Sequence, residues 1–334
     1  MSAKRILVTG GAGFIGSNLV EALLDKGLEV VCLDNFATGY RHNLDAAFQN
    51  PNFKLVEGDI RNLDDCKRAV ADCWTVFHHA ALGSVPRSVA DPATTNDVNV
   101  GGFVNMIFAA KNCGAKRFIY ASSSSVYGDH PRLPKVEDVT GKALSPYAIS
   151  KKANELYGQN FSEIFGFETI GLRYFNVFGK RQDPAGPYAA VIPKFVSNFF
   201  NGTPPVVNGD GSYSRDFTHI DNVVQANLLA METQTPEALN TVFNVACGSS
   251  TTILELANAI KNELIKQHPG FEKIEIFRGP IREGDIPHSL ASIEKARRLL
   301  GYEPKVDFAQ GLKKYIKWYC SNENILKAHG ACNA

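Results

Sequence analysis

The stretch VTGGAGFIGSNL, residues 8–19, decides the fold. Gly10, Gly13 and Gly16 recur at intervals of three, just after the apolar run RILVT (5–9) and at the start of an amphipathic segment reaching about Lys26. The run reads as a buried strand and the segment as a helix. At such a joint the first glycine permits a tight turn. The second lets a pyrophosphate approach the backbone, and the third lets helix and sheet pack closely. The helix N-terminus adds unpaired N–H groups and a partial positive charge. The next strand, LEVVCLD (28–34), ends in Asp34. A carboxylate there can accept hydrogen bonds from both ribose hydroxyls of an adenosine and would repel a 2′-phosphate. The expected cofactor is therefore NAD rather than NADP.

Outward from this unit, strand-like and helix-like segments alternate. FKLVEGD (53–59) is a third strand, NLDDCKRAVAD (62–72) a helix, WTVFHHA (74–80) a fourth strand, and Pro92 to Asn112 a long helix. AKRFIYAS (115–122) is a fifth strand and ETIGLRYFN (168–176) a sixth, with a helix around Tyr147 between them. The alternation predicts an α/β, Rossmann-type, doubly wound parallel sheet, whose ligands sit at the carboxyl ends of the strands. Asp59 ends the third strand and is placed to meet an adenine, although a turn aspartate reads the same way. After about residue 177 the loops become rich in Gly, Pro, Asn and Asp, which predicts a smaller C-terminal substrate-binding domain. The expected division is residues 1–176 plus about 214–248 for the cofactor domain, and about 177–213 plus 249–330 for the substrate domain.

Of 334 residues, 44% are apolar and 21% charged, and the formal net charge is +1. This balance points to a soluble globular protein and gives no electrostatic reason to expect nucleic acid or a membrane surface as partner. The seven cysteines are scattered without Cys-x-x-Cys spacing, so reduced thiols and no metal site are expected. No run approaches membrane-spanning length, and the N-terminal apolar stretch is too short for a signal peptide, so a cytoplasmic location is expected. His78 and His79 are adjacent on a strand and point to opposite faces, poor geometry for one ion. Cys247, ending another strand in NVACGSS, reads as packing.

The segment LSPYAISKKANELYG (144–158) sets Tyr147 four residues before Lys151, on one helix face, with Ser145 as cap and Pro146 in the first turn. That spacing alone is common. YASSSSVYG (120–128) adds a hydroxyl-rich surface at the carboxyl end of the fifth strand. A tyrosine ordinarily titrates near pH 10, and a nearby ammonium favours its phenolate.

With TGGAGFIG, YASSSSVYG, SPYAISK and RYFNVFG in this order, the chain resembles the extended short-chain dehydrogenases/reductases that act on nucleotide sugars, over roughly residues 4–320. The resemblance implies Ser123, Tyr147 and Lys151 as the catalytic set, Tyr147 being the acid/base. It implies NAD contacts at Gly10, Gly13, Phe14, Ile15, Asp34, Asn35, Asp59, Ile60 and Ala80, with Tyr147 and Lys151. Related dehydratases carry an Asp-Glu pair after the catalytic Ser/Thr, and related decarboxylases a nearby Glu. Here Ser124 and Ser125 follow Ser123, which favours chemistry that only removes and returns a hydride: the UDP-hexose 4-epimerase group.

The same resemblance places Asn176 and Arg215 on the diphosphate, Arg282 and Asp285 on phosphate and ribose, and Ala190 and Val191 over the uracil. Ser289 matches a gatekeeper beside the sugar, where a small residue leaves room for a 2-acetamido group. GSVPRS (83–88) and GKRQDPAGPYAAVIPKF (179–195) resemble loops of epimerases that prefer UDP-N-acetylated hexoses; Gly83, Ser84 and Arg87 join the substrate set with Ser123, Ser124 and Ser125. The implied reaction interconverts UDP-N-acetylglucosamine and UDP-N-acetylgalactosamine, with UDP-glucose/UDP-galactose as a lesser activity. A UDP-uronic acid 4-epimerase or 4-keto-sugar reductase of the same fold is the runner-up, and a non-catalytic NAD-binding regulator the alternative from another class. A homodimer through the helices near 92–112 and 146–165 is expected from the family.

Overall fold

The computed structural model describes residues 4–184, 189–281 and 286–332. Arg5–Thr9 (β1), Glu29–Asp34 (β2), Phe53–Glu57 (β3), Cys73–His78 (β4), Arg117–Ser123 (β5) and Glu168–Tyr174 (β6) form one parallel sheet. An edge strand, Thr241–Val245, completes it beside β6. The order is edge strand, β6, β5, β4, β1, β2, β3. The order reverses between β1 and β4, and the crevice there faces the carboxyl ends, where a doubly wound sheet binds its ligand.

Helices cover both faces, so the central strands are buried on both sides and read as nearly continuous apolar runs. Phe14–Asp25 (α1) and the helix Ile220–Glu232 pack on one face, with Leu19, Leu23, Val223 and Phe243 in that core. On the other lie Leu63–Val70 (α2), Val85–Ala90 (α3), Pro92–Asn96 (α4), Gly102–Asn112 (α5) and Pro146–Phe165 (α6). Phe103, Met106, Phe118 and Phe161 fill the core there. A third core, with Phe195, Phe199, Ile260, Leu264 and Tyr315, joins the helices Val191–Phe200, Ile253–Ile265 and Phe308–Cys332.

Several boundaries differ from the sequence expectation. The fourth strand ends at His78, not Ala80. The helix expected over 62–72 spans 63–70, because the Asn62 side chain caps it by accepting from the N–H groups of Asp64 and Asp65. Between α4 and α5, residues Asp97–Gly101 form a π-type turn within what reads as one long helix. GSVPRS is not a loop throughout. Ser84 adopts φ +97° and its Oγ accepts from Arg87 N–H at 3.3 Å, starting the six-residue α3. Such a short helix has too few turns for periodicity to announce it. The last helix, Phe308–Cys332, runs through the polar tail of the sequence.

Candidate active site

The glycine turn is built as its spacing implies. Gly10 has φ +67°, and a Cβ there would stand 2.7 Å from the Ala80 backbone nitrogen. A Cβ on Gly16 would lie 2.1 Å from the Gly10 carbonyl oxygen, so helix and turn touch through backbone. Gly13 is the N-cap of α1 and makes no side-chain cap bond. Above this turn opens a cavity of about 560 Å³. Gly10, Gly13, Phe14 and Ile15 line one side; Asp34, Asn35, Asp59 and Ile60 enter from the ends of β2 and β3. Ala80, Gly83, Ser84 and Arg87 follow β4, and Ala190 faces them.

Asp34 is buried. Its Oδ2 accepts from Ala12 N–H and its Oδ1 from Phe36 N–H, both at 2.8 Å. Burial raises its pKa, and these N–H bonds oppose the rise. Asp59 behaves oppositely. Arg61 grips it through Nε and a terminal nitrogen, the latter at 2.8 Å from Oδ2, and Asn35 donates to the same oxygen at 2.9 Å. The Arg61 guanidinium holds the Asp59 carboxyl down at about 2. Arg61 also lines the cavity and was not singled out in the sequence; its only signal is its place two residues after the strand-ending acid.

The Tyr147 helix begins as read, with Ser145 Oγ accepting from Ala148 N–H at 3.1 Å. Tyr147 and Lys151 share a face, Lys151 Nζ lying 5.9 Å from the tyrosine ring centre. That ammonium is buried and donates to the Ala121 carbonyl at 2.9 Å, beside the cavity. Burial lowers its pKa to about 8. Burial also raises the Tyr147 phenol, while a hydrogen bond with Ser123 opposes that rise. The protein alone therefore keeps Tyr147 protonated, and added positive charge must lower it. Ser123 Oγ accepts from Ser125 N–H at 3.1 Å, and Ser124 starts a short 3₁₀ turn. Ser125 Oγ is buried without a partner among the described residues.

Beneath this set lies a buried network that motif reading missed. Ser122 Oγ donates to Glu155 at 2.6 Å, and Arg173 Nε donates to the same oxygen at 2.8 Å. Arg173 also donates to Tyr127 Oη at 3.0 Å. Glu155 stands one helical turn beyond Lys151, so the ion pair fixes α6 against β5 and β6.

Ser123, Tyr147 and Lys151 stand outside the cavity lining, as do Ser124, Ser125, Asn176, Val191, Arg215 and Ser289. Asn176 has φ +32° and its amide donates to the Asp216 carbonyl at 3.0 Å. Arg215 donates to the carbonyls of Ser214 and Pro287, and Ser289 N–H to the Ser214 carbonyl at 3.0 Å. Arg215 and Ser289 are thus brought side by side. Val191 begins the helix after Ala190. Arg282 and Asp285 fall outside the described residues. His78 and His79 diverge: His78 Nδ1 is 3.0 Å from Thr9 Oγ1, while the His79 ring meets Tyr174. Cys247 is partly buried, with Sγ near the Asn222 amide.

Comparison with known proteins adds to this geometry. The sequence profile of the NAD dependent epimerase/dehydratase family matches residues 6–246. A putative UDP-glucose 4-epimerase of Methanocaldococcus jannaschii is 37% identical over 319 residues, which are 95% of this chain and 99% of the relative. The solved UDP-N-acetylglucosamine 4-epimerase of Methanobrevibacter ruminantium, in complex with UDP-N-acetylmuramic acid, is 40% identical with a TM-score of 0.89, over 96% of this chain and 100% of that one. The Thermus thermophilus UDP-glucose 4-epimerase, solved with NAD, is 33% identical with a TM-score of 0.82, over 95% and 99%.

Proposed function

The chain belongs to the NAD dependent epimerase/dehydratase family, and from that premise we propose that it interconverts UDP-N-acetylglucosamine and UDP-N-acetylgalactosamine. It is an NAD-dependent UDP-sugar 4-epimerase, as its relatives are. The acetamido preference is the finer step, and one observation carries it. Ser289, a small side chain, is held next to Arg215 by its bond to Ser214, on the side where a phosphate-binding arginine would hold the sugar nucleotide. A bulky residue there would narrow the space beside the sugar. The Methanobrevibacter neighbour, whose name carries the same acetylated substrate, supports the reading.

The glycine cradle, which a Cβ would fill, and Asp34 at the end of β2 fit a dinucleotide without a 2′-phosphate. Held there, NAD would supply a reversible hydride acceptor for sugar carbon 4. Tyr147 takes the proton of the 4-hydroxyl in the first half-reaction and gives it back in the second. Ser123, already hydrogen-bonded to Tyr147, orients that hydroxyl and shares the proton. Lys151 places an ammonium one helical turn from the Tyr147 phenol, and the further positive charge of an oxidised nicotinamide would be needed to ionise it. No carboxylate follows Ser123, so nothing drives a dehydration after the oxidation. In this proposal Asn176, Arg215, Arg282 and Asp285 hold the diphosphate and ribose, Ala190 and Val191 cover the uracil, and Ser84 and Arg87 shape the acetamido side.

A homodimer belongs to the same proposal. Ile149, Leu156, Tyr157 and Ile164 are exposed on one face of α6, with Phe108 exposed on α5. An apolar stripe at seven- and eight-residue spacing is what a helix buries against a partner.

The test is proton NMR of the protein with UDP-N-acetylglucosamine and NAD, beside a UDP-glucose control. The galacto anomeric signal should grow faster for the acetylated sugar. Equal or slower growth than with UDP-glucose would overturn the acetamido preference.

A further inference from the structure

Gln182 and Asp183 also line the cavity. They come from the loop-rich half of the chain, in the stretch GKRQDPAGPYAAVIPKF (179–195). Several contacts tie their segment to the cofactor half. Lys180 Nζ and Arg181 reach the same Glu21 oxygen on α1, at 2.8 and 2.9 Å. Arg181 also donates to the Ser17 carbonyl, and Asn18 Nδ2 to the Lys180 carbonyl, each at 3.1 Å. Tyr40 Oη donates to Asp183 Oδ2 at 2.6 Å, joining the loop after β2 to this segment.

Tyr40 is itself fixed. Its N–H donates to the Ala12 carbonyl at 3.1 Å, and a Cβ on neighbouring Gly39 would stand 2.8 Å from the Ala12 carbonyl carbon. The loop carrying Asp34, Thr38 and Gly39 and the segment carrying Gln182 and Asp183 are therefore two walls of one cavity, bridged by a short hydrogen bond. Gln182 adds a second, independent sign of a ligand. Its amide nitrogen donates to the Val177 carbonyl, while its Oε1 is buried without a partner among the described residues. An acceptor left unpaired in a binding wall calls for a donor on the bound molecule.

We propose that residues 180–183 form a clasp that retains NAD, closed by the Tyr40–Asp183 hydrogen bond and anchored by Glu21. A dinucleotide between the two walls leaves only when they part, and parting breaks the Tyr40 bond and strains the Glu21 ion pairs. An enzyme that returns its hydride every cycle gains from slow cofactor release. The proposal rests on the family's NAD and not on which sugar is turned over, so its test needs no sugar.

The test loads holoenzyme with NAD and follows release after rapid dilution into an enzymatic NAD trap, for wild type, Tyr40→Phe and Glu21→Gln. Glu232→Gln, which breaks the unrelated Lys26–Glu232 pair on the same face of the fold, is the control. Threefold or faster release in both clasp variants, with the control at the wild-type rate, supports the clasp. Less than threefold in either, or equal acceleration in the control, overturns it. Salt gives a readout that general loosening would not copy. The Glu21 pairs are partly exposed, so release from wild type should quicken as salt rises, and Glu21→Gln should lose that dependence. A salt dependence unchanged in Glu21→Gln counts against the proposal.

Discussion

The half of the site proposed to hold the cofactor and the half proposed to hold the sugar nucleotide are built on different principles. In the first, backbone positions do the work: Gly10, Gly13 and Gly16 bring chain close to chain at one strand–helix joint, and Asp34 ends the adjacent strand. In the second, side chains sit on loops held by bonds between distant segments. Ser289 meets Ser214, Asn176 meets Asp216, and the Asp216 carboxylate accepts from Cys247, Gly248 and Ala291. The first half is a local arrangement that many sequences of this pattern share. The second depends on long-range pairing and is where specificity can change without disturbing the sheet.

Two changes probe the contrast at its strongest. Tyr147→Phe removes the proposed proton carrier and leaves the glycine cradle untouched. Turnover should fall by about 10³-fold while NAD remains bound. Steady-state kinetics with a count of bound NAD checks this; near-wild-type turnover would remove Tyr147 from the mechanism. Ser289→Tyr probes the other half. It should cost about 100-fold in kcat/KM for the acetylated sugar and much less for UDP-glucose. An equal loss on both sugars would mean that the position supports the loop rather than the specificity.

A smaller effect is expected within the cofactor half. Asp34→Asn keeps the shape of a side chain that accepts from Ala12 and Phe36, yet turns one acceptor into a donor. NAD affinity should drop roughly tenfold, and discrimination against NADP should shrink. Titration with both cofactors decides it. Unchanged discrimination would shift the choice of cofactor to Asp183 across the cavity.

The sequence carries much of the first half because its signals are local. The glycine spacing, the acid ending β2, and the Ser145 cap are each fixed by neighbours within a few residues. What stayed illegible is non-local or too short to be periodic. Arg61 matters only because its guanidinium folds back on Asp59. Glu155 and Arg173 pair across 18 residues, and each alone reads as an ordinary charge on a helix or strand. Asp183 acquires a role only when Tyr40, 143 residues away, is seen to donate to it. Ser84 enters the substrate set by resemblance alone, and its hydroxyl also starts a six-residue helix.

The last prediction separates what Lys151 does for chemistry from what it costs the fold. Its pKa is lowered from 10.5 to about 8 by burial. Below about pH 8 both folded and unfolded chains carry the ammonium, and the folded one bears the cost of burying it. Between about pH 8 and 10.5 the unfolded chain binds more protons than the folded one, so this group makes stability rise with pH across that window. Lys151→Met removes the buried charge. Without cofactor, the variant should be more stable than wild type at pH 7, by at most about 3 kcal/mol and by less once the lost bond to Ala121 is counted. The advantage should shrink as pH rises from 8 towards 10.5, while turnover stays low throughout. Urea unfolding of both proteins at several pH values measures it. A variant less stable than wild type at pH 7, or a gap that does not change with pH, would mean that the ammonium is better accommodated than its single carbonyl partner suggests. The folding cost would then not be what this half of the site exchanges for a charge beside Tyr147.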